Sequence, residues 1–191
     1  MIFYLSLGSN LAPEKHIGLA LYELCERYQT ALILPIVHTE PCAIHSSNGF
    51  LNSIALIASN ESTSELKHWL NQLECAHGRD RTDPNRSAKD RTLDIDILAE
   101  QATLDFNITE TFNEPYVQAS IVALHAMQNH SANKQYNTAA VPLPGTKITL
   151  GNRAATIDFD HASGNILVCE DRIDPLLQRF ESTFTRQQGF A

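Results

Sequence analysis

Gly78-Arg79-Asp80-Arg81-Thr82-Asp83-Pro84-Asn85-Arg86-Ser87-Ala88-Lys89-Asp90-Arg91-Thr92-Leu93-Asp94-Ile95-Asp96-Ile97-Leu98 decides how this chain is read. Its second half, from Arg91 to Leu98, alternates polar and apolar residues and predicts a strand. Side chains on a strand alternate between its faces. Asp94 and Asp96 therefore emerge on one face, and Leu93, Ile95 and Ile97 on the other. Two carboxylates side by side repel each other and are costly to bury. A hard divalent cation relieves both problems: magnesium prefers carboxylate oxygens, keeps several waters and shares its remaining positions with substrate phosphates. The first half is a polar loop carrying Arg79, Arg81, Arg86, Lys89 and Arg91. It has few apolar residues and is expected to move. Cations on such a loop beside an Asp pair describe a lid that closes over a metal-bound polyphosphate. An Asp-x-Asp alone is equally what an exposed edge carries, and an Arg- and Asp-rich loop is equally a solvated turn. The run as a whole is more specific than either piece.

Upstream of this stretch, Ser62-Thr63-Ser64-Glu65 is a capping box. It opens a helix with Leu66, Trp69, Leu70 and Leu73 on one face and Asn71 and Glu74, three apart, on another. Gly78 ends that helix. Phe50 to Ala58 is a strand, with Phe50, Asn52, Ile54 and Leu56 on one face and Leu51, Ser53, Ala55 and Ile57 on the other. Phe50 and Asn52 together offer a ring to stack on a flat heterocycle and an amide to pair with its edge. The alternative is a core aromatic and a loop cap. Residues 31–37 are β-rich, with Pro35 marking a bulge or edge position. Pro13-Glu14 opens an earlier helix whose stripe is Ile17, Ala20, Leu21, Leu24, Cys25 and Tyr28. Residues 2–8 form a buried strand, and Gly8-Ser9-Asn10 a turn where backbone can approach a neighbour or ligand closely. The order is strand, helix, strand, strand, helix, strand. That is the split βαβ of an α+β ferredoxin-like βαββαβ sandwich, in which two helices cover one sheet face. The other face needs cover from the rest of the chain.

That remainder, after residue 100, is less regular. Residues 116–127 predict a helix and 131–140 a polar linker. Short strands are expected at 147–150, 153–160 and 165–169, and a last amphipathic helix from Asp174-Pro175 carries Leu176, Leu177, Phe180 and Phe184. The Asp158-Phe159-Asp160-His161 cluster reads as surface. The expected organisation is a core over 1–130 and a C-terminal α/β extension over 131–191 packed on it.

The chain has 191 residues, 43% of them hydrophobic, enough for one domain with a real core. A net charge of -8 gives no general attraction to nucleic acid or to anionic membranes. Any basic function must be local, in the loop after Gly78. Four scattered cysteines without a C-x-x-C predict reduced thiols and a cytoplasmic protein. No apolar run reaches membrane-spanning length. The histidines show neither H-x-x-x-H nor H-E-x-x-H, and none is assigned to metal. No G-x-x-x-x-G-K-[ST] is present, so a P-loop does not hold the phosphates.

Three matches carry a resemblance. Gly78-Arg79 followed by Arg91-Thr92-Leu93-Asp94-Ile95-Asp96-Ile97-Leu98 resembles the signature of the 6-hydroxymethyl-7,8-dihydropterin pyrophosphokinase family. Tyr4-Leu5-Ser6-Leu7-Gly8-Ser9-Asn10-Leu11 is similar to its G-S-N-L opening, and Phe50-Leu51-Asn52 to its F/Y-L-N. The matches come in the family's order and cover residues 1–100. The resemblance implies the ferredoxin-like fold and transfer of a pyrophosphoryl group from ATP to a pterin alcohol, giving AMP, in folate biosynthesis. It implies Asp94 and Asp96 as ligands of two magnesium ions bridging the ATP phosphates. It makes Arg79, Arg91 and Asp96 the catalytic set, and Asn71, Glu74, Arg79, Arg81 and Arg91 the ATP contacts. Thr39, Cys42, Phe50 and Asn52 match pterin-pocket positions, and Asn10 lies at the same mouth. The implied partners are the pterin and ATP, with no nucleic acid and no membrane; no protein partner is legible.

The chain departs from the pattern in places. The loop is longer by two residues, and Ala88-Lys89-Asp90 replaces W-G-P or N-G-P. Tyr116 stands where His is expected, and the Arg, Phe and Pro-Leu that follow in the family are missing. These departures motivate two alternatives: a non-catalytic pterin- or nucleotide-binding paralogue, and a related phosphotransferase with a changed substrate. A metal-dependent nuclease using the same Asp pair is disfavoured by the acidic charge and the lack of an aromatic-studded basic groove.

Overall fold

The computed structural model describes residues 1–41, 46–85, 88–128 and 137–188, with side chains described to Thr185. Strand β1 (Ile2–Ser9) is buried along its whole length. Its apolar run without alternation is explained by cover on both faces: Phe3, Leu5 and Leu7 enter one core, and Ile2 and Tyr4 the other. Helix α1 (Pro13–Tyr28) starts with Pro13 in its first turn and Glu14 beside it. Its stripe of Ile17, Ala20, Leu21, Leu24 and Cys25 is fully buried in the first core.

The β-rich run over 31–37 is not one strand. It divides into β2 (Thr30–Ile33) and β3 (Val37–Thr39), both antiparallel to β4 (Phe50–Ala58). Pro35 has no N–H to give the ladder, so pairing breaks there. The Leu34 N–H still donates to Ile54 O (2.9 Å), while the Ile36 N–H turns away to Gly151 O (2.8 Å). Helix α2 (Thr63–Ala76) opens with the expected capping box, the Ser62 N–H donating to Glu65 at 2.8 Å. Gly78 follows the helix at φ +93. Strand β5 (Asp94–Gln101) then pairs with β1. The resulting order β5-β1-β4-β2, antiparallel at each neighbour, is that of the split βαβ sandwich.

Downstream lie α3 (Pro115–Gln128), a small ribbon of β6 (Val141–Pro142) and β7 (Thr149–Leu150), β8 (Ala155–Asp160), β9 (Asn165–Glu170) and α4 (Ile173–Gln188). The expected strand at 147–150 is reduced to Thr149 and Leu150. Residues 131–136 of the expected linker lie outside the described residues. β8 hydrogen-bonds to β2 and β9 to β8, so the tail lengthens the same sheet. α1 and α2 cover one face; Val117, Ile121 and Leu124 of α3 and Ile173, Leu176 and Phe180 of α4 fill the core on the other. Asp158 is not a free surface carboxylate. It takes Arg179 of α4 at 2.5 Å and the Thr30 hydroxyl at 2.8 Å, joining three elements.

β5 ends the sheet on its side, and α2 shields that edge. The Ile95 N–H donates to Glu74 Oε1 (2.8 Å), and Lys67 Nζ donates to Ile95 O (2.9 Å). At Ile95 the backbone groups of the edge are thus taken and offer no template to another chain.

Candidate active site

Strand register assembles the site. Gly8 on β1 faces Asn52 on β4 to one side and Asp94 on β5 to the other; Ser6 likewise stands between Ile54 and Asp96. Direct cross-strand partners share a face. An amide, a floor of two small residues and two carboxylates therefore form one surface, on the side covered by α3. The hollow above it is walled by Thr39, Glu40, Phe50 and Asn52 at one end and by Arg91, Asp94, Asp96 and Tyr116 at the other. A second hollow adjoins it through Asp96 and Tyr116, and continues over Ile97, Leu98 and Ala99 to Ile108, Phe112 and Glu114.

At the amide end, Asn52 Nδ2 donates to Thr39 Oγ1 (2.7 Å), which fixes the amide and leaves its oxygen over Gly8. A Cβ on Gly8 would stand 2.7 Å from that oxygen, closer than such atoms come. Gly8 has ordinary backbone angles, so Gly8→Ala is expected to fold and to push the Asn52 amide aside. Affinity for a ligand read by Asn52 should fall about tenfold, the scale of one lost hydrogen bond of about 1.5 kcal/mol. Fluorescence titration of wild type and variant checks this.

At the carboxylate end, Arg79 and Arg91 each ion-pair with one oxygen of Asp94. Burial raises the Asp94 pKa, but the two guanidiniums outweigh it, and the net shift is down. Arg79 also lies 3.1 Å from Glu74, and Arg81 pairs with the same carboxylate. Glu74 is fully buried. Burial dominates there and leaves its pKa raised despite the Ile95 N–H and both arginines. Arg91 reaches further, its guanidinium carbon 5.9 Å from the centre of the Phe50 ring. Asp96 is exposed and takes Lys67 at 2.8 Å. Lys89 pairs with Asp83. The described cations of the loop thus rest on carboxylates of the chain.

The structure brings Thr39, Phe50, Asn52, Arg91, Asp94 and Asp96 into the first hollow, with Arg79 behind Asp94. It does not bring Asn10 there. The Asn10 amide donates to Asp90 (2.6 Å) and accepts from the Arg91 N–H (2.7 Å), pinning the end of the loop to the end of β1. Glu74 and Arg81 sit at the root of the loop. Asn71 is half-buried, with its Oδ1 lacking a hydrogen-bond partner among the described residues, as do Arg79 Nε and Thr92 Oγ1. Buried polar atoms left this way fit a ligand that brings donors and acceptors of its own. Cys42 and Arg86 lie outside the described residues. Sequence reasoning missed Glu40, Lys67 and Asp90. The first two need the sheet register to be placed; Asp90 could have been weighed as a polar residue one before Arg91.

Asp94 and Asp96 are oxygen donors on one face, and that donor chemistry fits a hard divalent cation. Among the described residues no three His, Cys, Asp or Glu side chains gather into a metal site. A cation held here would take its other ligands from water and substrate, which is magnesium's habit.

The family model described as 7,8-dihydro-6-hydroxymethylpterin-pyrophosphokinase matches residues 4–124. Curated relatives from two strains of Porphyromonas gingivalis, each named 2-amino-4-hydroxy-6-hydroxymethyldihydropteridine pyrophosphokinase, are 35% identical over 99 residues, which is 51% of this chain and 67% of theirs. The match takes in the β1 floor, Phe50 and Asn52, the Arg loop and the Asp94–Asp96 strand. On sequence as on architecture, this chain belongs to the 7,8-dihydro-6-hydroxymethylpterin-pyrophosphokinase family, the ATP-dependent pyrophosphokinases of folate biosynthesis.

Proposed function

We propose that the chain transfers the pyrophosphoryl group of ATP to the hydroxymethyl group of 6-hydroxymethyl-7,8-dihydropterin across the Asn52–Gly8–Asp94 row. That row carries the reading. Neighbouring strands are about 4.8 Å apart, so the row spans about 10 Å from amide to carboxylate over a floor without side-chain bulk. A flat ring lies on that floor with its polar edge on Asn52 and Thr39 and its face against Phe50. Its hydroxymethyl arm then points at the Asp end. The nucleotide lies in the adjoining hollow, with its phosphates at the shared Asp96–Tyr116 boundary.

The hydroxymethyl oxygen attacks the β-phosphorus, the bond from that phosphorus to the α–β bridging oxygen breaks, and AMP leaves; the hydroxyl proton passes to solvent. Little covalent work falls to the protein, so positioning and charge do most of it. Asp94 and Asp96 would hold magnesium, two ions by the family resemblance, supplying positive charge against the phosphate oxygens. Arg79 and Arg91 exchange Asp94 for phosphate oxygens, and Arg91 stays over Phe50, beside the acceptor ring. Glu74 acts behind them by aiming Arg79 and Arg81, and Asn71 offers its unpartnered oxygen to the nucleotide. Asn10 serves the pterin side indirectly, by fixing where Arg91 begins.

Residues 1–130 form the catalytic core in this reading, and the extension completes its sheet and second core. Among the described residues no helix is long and apolar enough to cross a membrane. The acidic charge and small-molecule hollows support a cytoplasmic enzyme without nucleic-acid or membrane partners. The test is AMP release from ATP, magnesium and the pterin. Production of AMP that depends on both substrates is expected. Pterin binding without AMP would favour the non-catalytic paralogue.

A further inference from the structure

Lys67 lies outside the hollows, on α2, and nothing in the reaction above uses it. Its ammonium nonetheless reaches round the sheet edge to Asp96 Oδ1 (2.8 Å) and Ile95 O (2.9 Å). Its side chain is 35% exposed and that of Asp96, which lines both hollows, 55%, so the pair can exchange with solvent and ligands. Among the described residues Asp96 has no second cation on it, whereas Asp94 has two arginines. The two carboxylates are therefore guarded differently.

We propose that Lys67 is a specificity-determining residue that makes the Asp pair refuse a bare divalent cation and accept one that arrives with a polyphosphate. The inference rests on the assignment of metal to Asp94 and Asp96. The physics is charge balance at one point. A free dication approaching Asp96 meets the Lys67 ammonium a few ångströms away and is repelled, and it must compete for the same oxygen. A dication complexed to a nucleotide brings net negative charge. The ammonium released from Asp96 then has phosphate oxygens to pair with, and repulsion becomes attraction. Water screens an exposed pair, and a unit charge at that range then shifts affinity about three- to tenfold.

Manganese binding separates these effects without turnover. Free Mn2+ is followed by its electron paramagnetic resonance signal, alone and with α,β-methylene-ATP, whose bridging carbon cannot be cleaved. Lys67→Gln removes the charge and keeps a donor for the Ile95 carbonyl; Lys67→Arg keeps the charge. In Lys67→Gln, free Mn2+ is expected to bind about three- to tenfold more tightly and the Mn2+–analogue complex about three- to tenfold more weakly. Lys67→Arg should stay near wild type. Shifts of the same sign for both ligands, or no shift, would overturn the proposal. A Lys67→Gln protein that melts about 10 °C lower and binds both ligands more weakly would assign Lys67 to edge capping instead, also overturning it. Asp96→Asn is the separate control. If it leaves binding of the Mn2+–analogue complex unchanged, the metal assignment itself has failed; if it abolishes that binding while Lys67→Gln does nothing, only the role of Lys67 has.

Discussion

Asp96→Asn is expected to lower turnover by about a thousandfold or more while the protein keeps its fold. The size follows from the reaction. Charge on the transferred phosphate must be neutralised, and a lost metal site or its equivalent in fixed charge costs several kcal/mol of barrier. The preserved fold follows from position. Asp96 is exposed on an edge strand, and its only ion-pair partner among the described residues, Lys67, is itself partly exposed. Removing such a charge costs little stability. Asp94→Asn is the informative contrast. It should be as inactive, but it takes a carboxylate charge away from Arg79 and Arg91, both largely buried, and should be visibly less stable. AMP release and thermal melts on the two variants make the comparison. Activity within tenfold of wild type in Asp96→Asn would remove the carboxylate pair from the phosphate site.

Glu74→Ala is expected to destabilise the chain by about 3–5 kcal/mol, the range for breaking a buried charge network from one side. Its carboxylate is fully buried and holds three things at once: the Ile95 N–H at the sheet edge, Arg79 and Arg81. Without it, Arg81 and a backbone donor lose their acceptor, and Arg79 is left to Asp94. Urea unfolding measures the loss; a change under 1 kcal/mol would mean that water replaces the carboxylate. Glu74→Gln keeps an acceptor and should lose less, with a pH signature. The Glu74 pKa is raised in the folded state by burial. Its contribution is therefore fully present below the unfolded value and is lost as pH rises through the folded one. Asp94, shifted down, works in reverse: its contribution is present above its unfolded value and is lost as pH falls through the folded one. The deficit of Glu74→Gln should shrink as pH rises out of the acid range, and that of Asp94→Asn should grow.

The elements of the core were legible because their signals are local. The capping box, the Pro13 start, the alternating Asp strand and the α1 stripe all depend on neighbours within a turn or two. The floor of the site was not, because Gly8 meets Asn52 and Asp94, 44 and 86 residues further along the chain, only through pairing between strands. Asn71 and Glu74, three apart on a helix, read as one pair on a face other than the apolar stripe. α2 lies over the end of the sheet, so the turn that carries Glu74 meets β5 where an ordinary amphipathic helix would meet water. Asn10 read as part of the ligand's mouth because it follows Gly8-Ser9 in sequence. The chain bends away there, and the amide is spent on the loop. Beyond residue 130 the short strands carry little alternation, and nothing local says that β8 joins β2.

That last pairing sets a timetable for synthesis. Thr30 on β2 meets Asp158 on β8 across 128 residues of chain, and α4, which closes the second core, comes later still. At about 5–20 residues per second, β2 leaves the ribosome roughly 6–25 s before its partner exists. Until β8 and α4 follow, Leu32, Leu34, Ile54 and Leu56 have at most the residues up to the end of α3 to cover them. A nascent chain stalled before β8 would present an open strand edge and a half-filled apolar face, the form most prone to stick to another copy or to engage a chaperone.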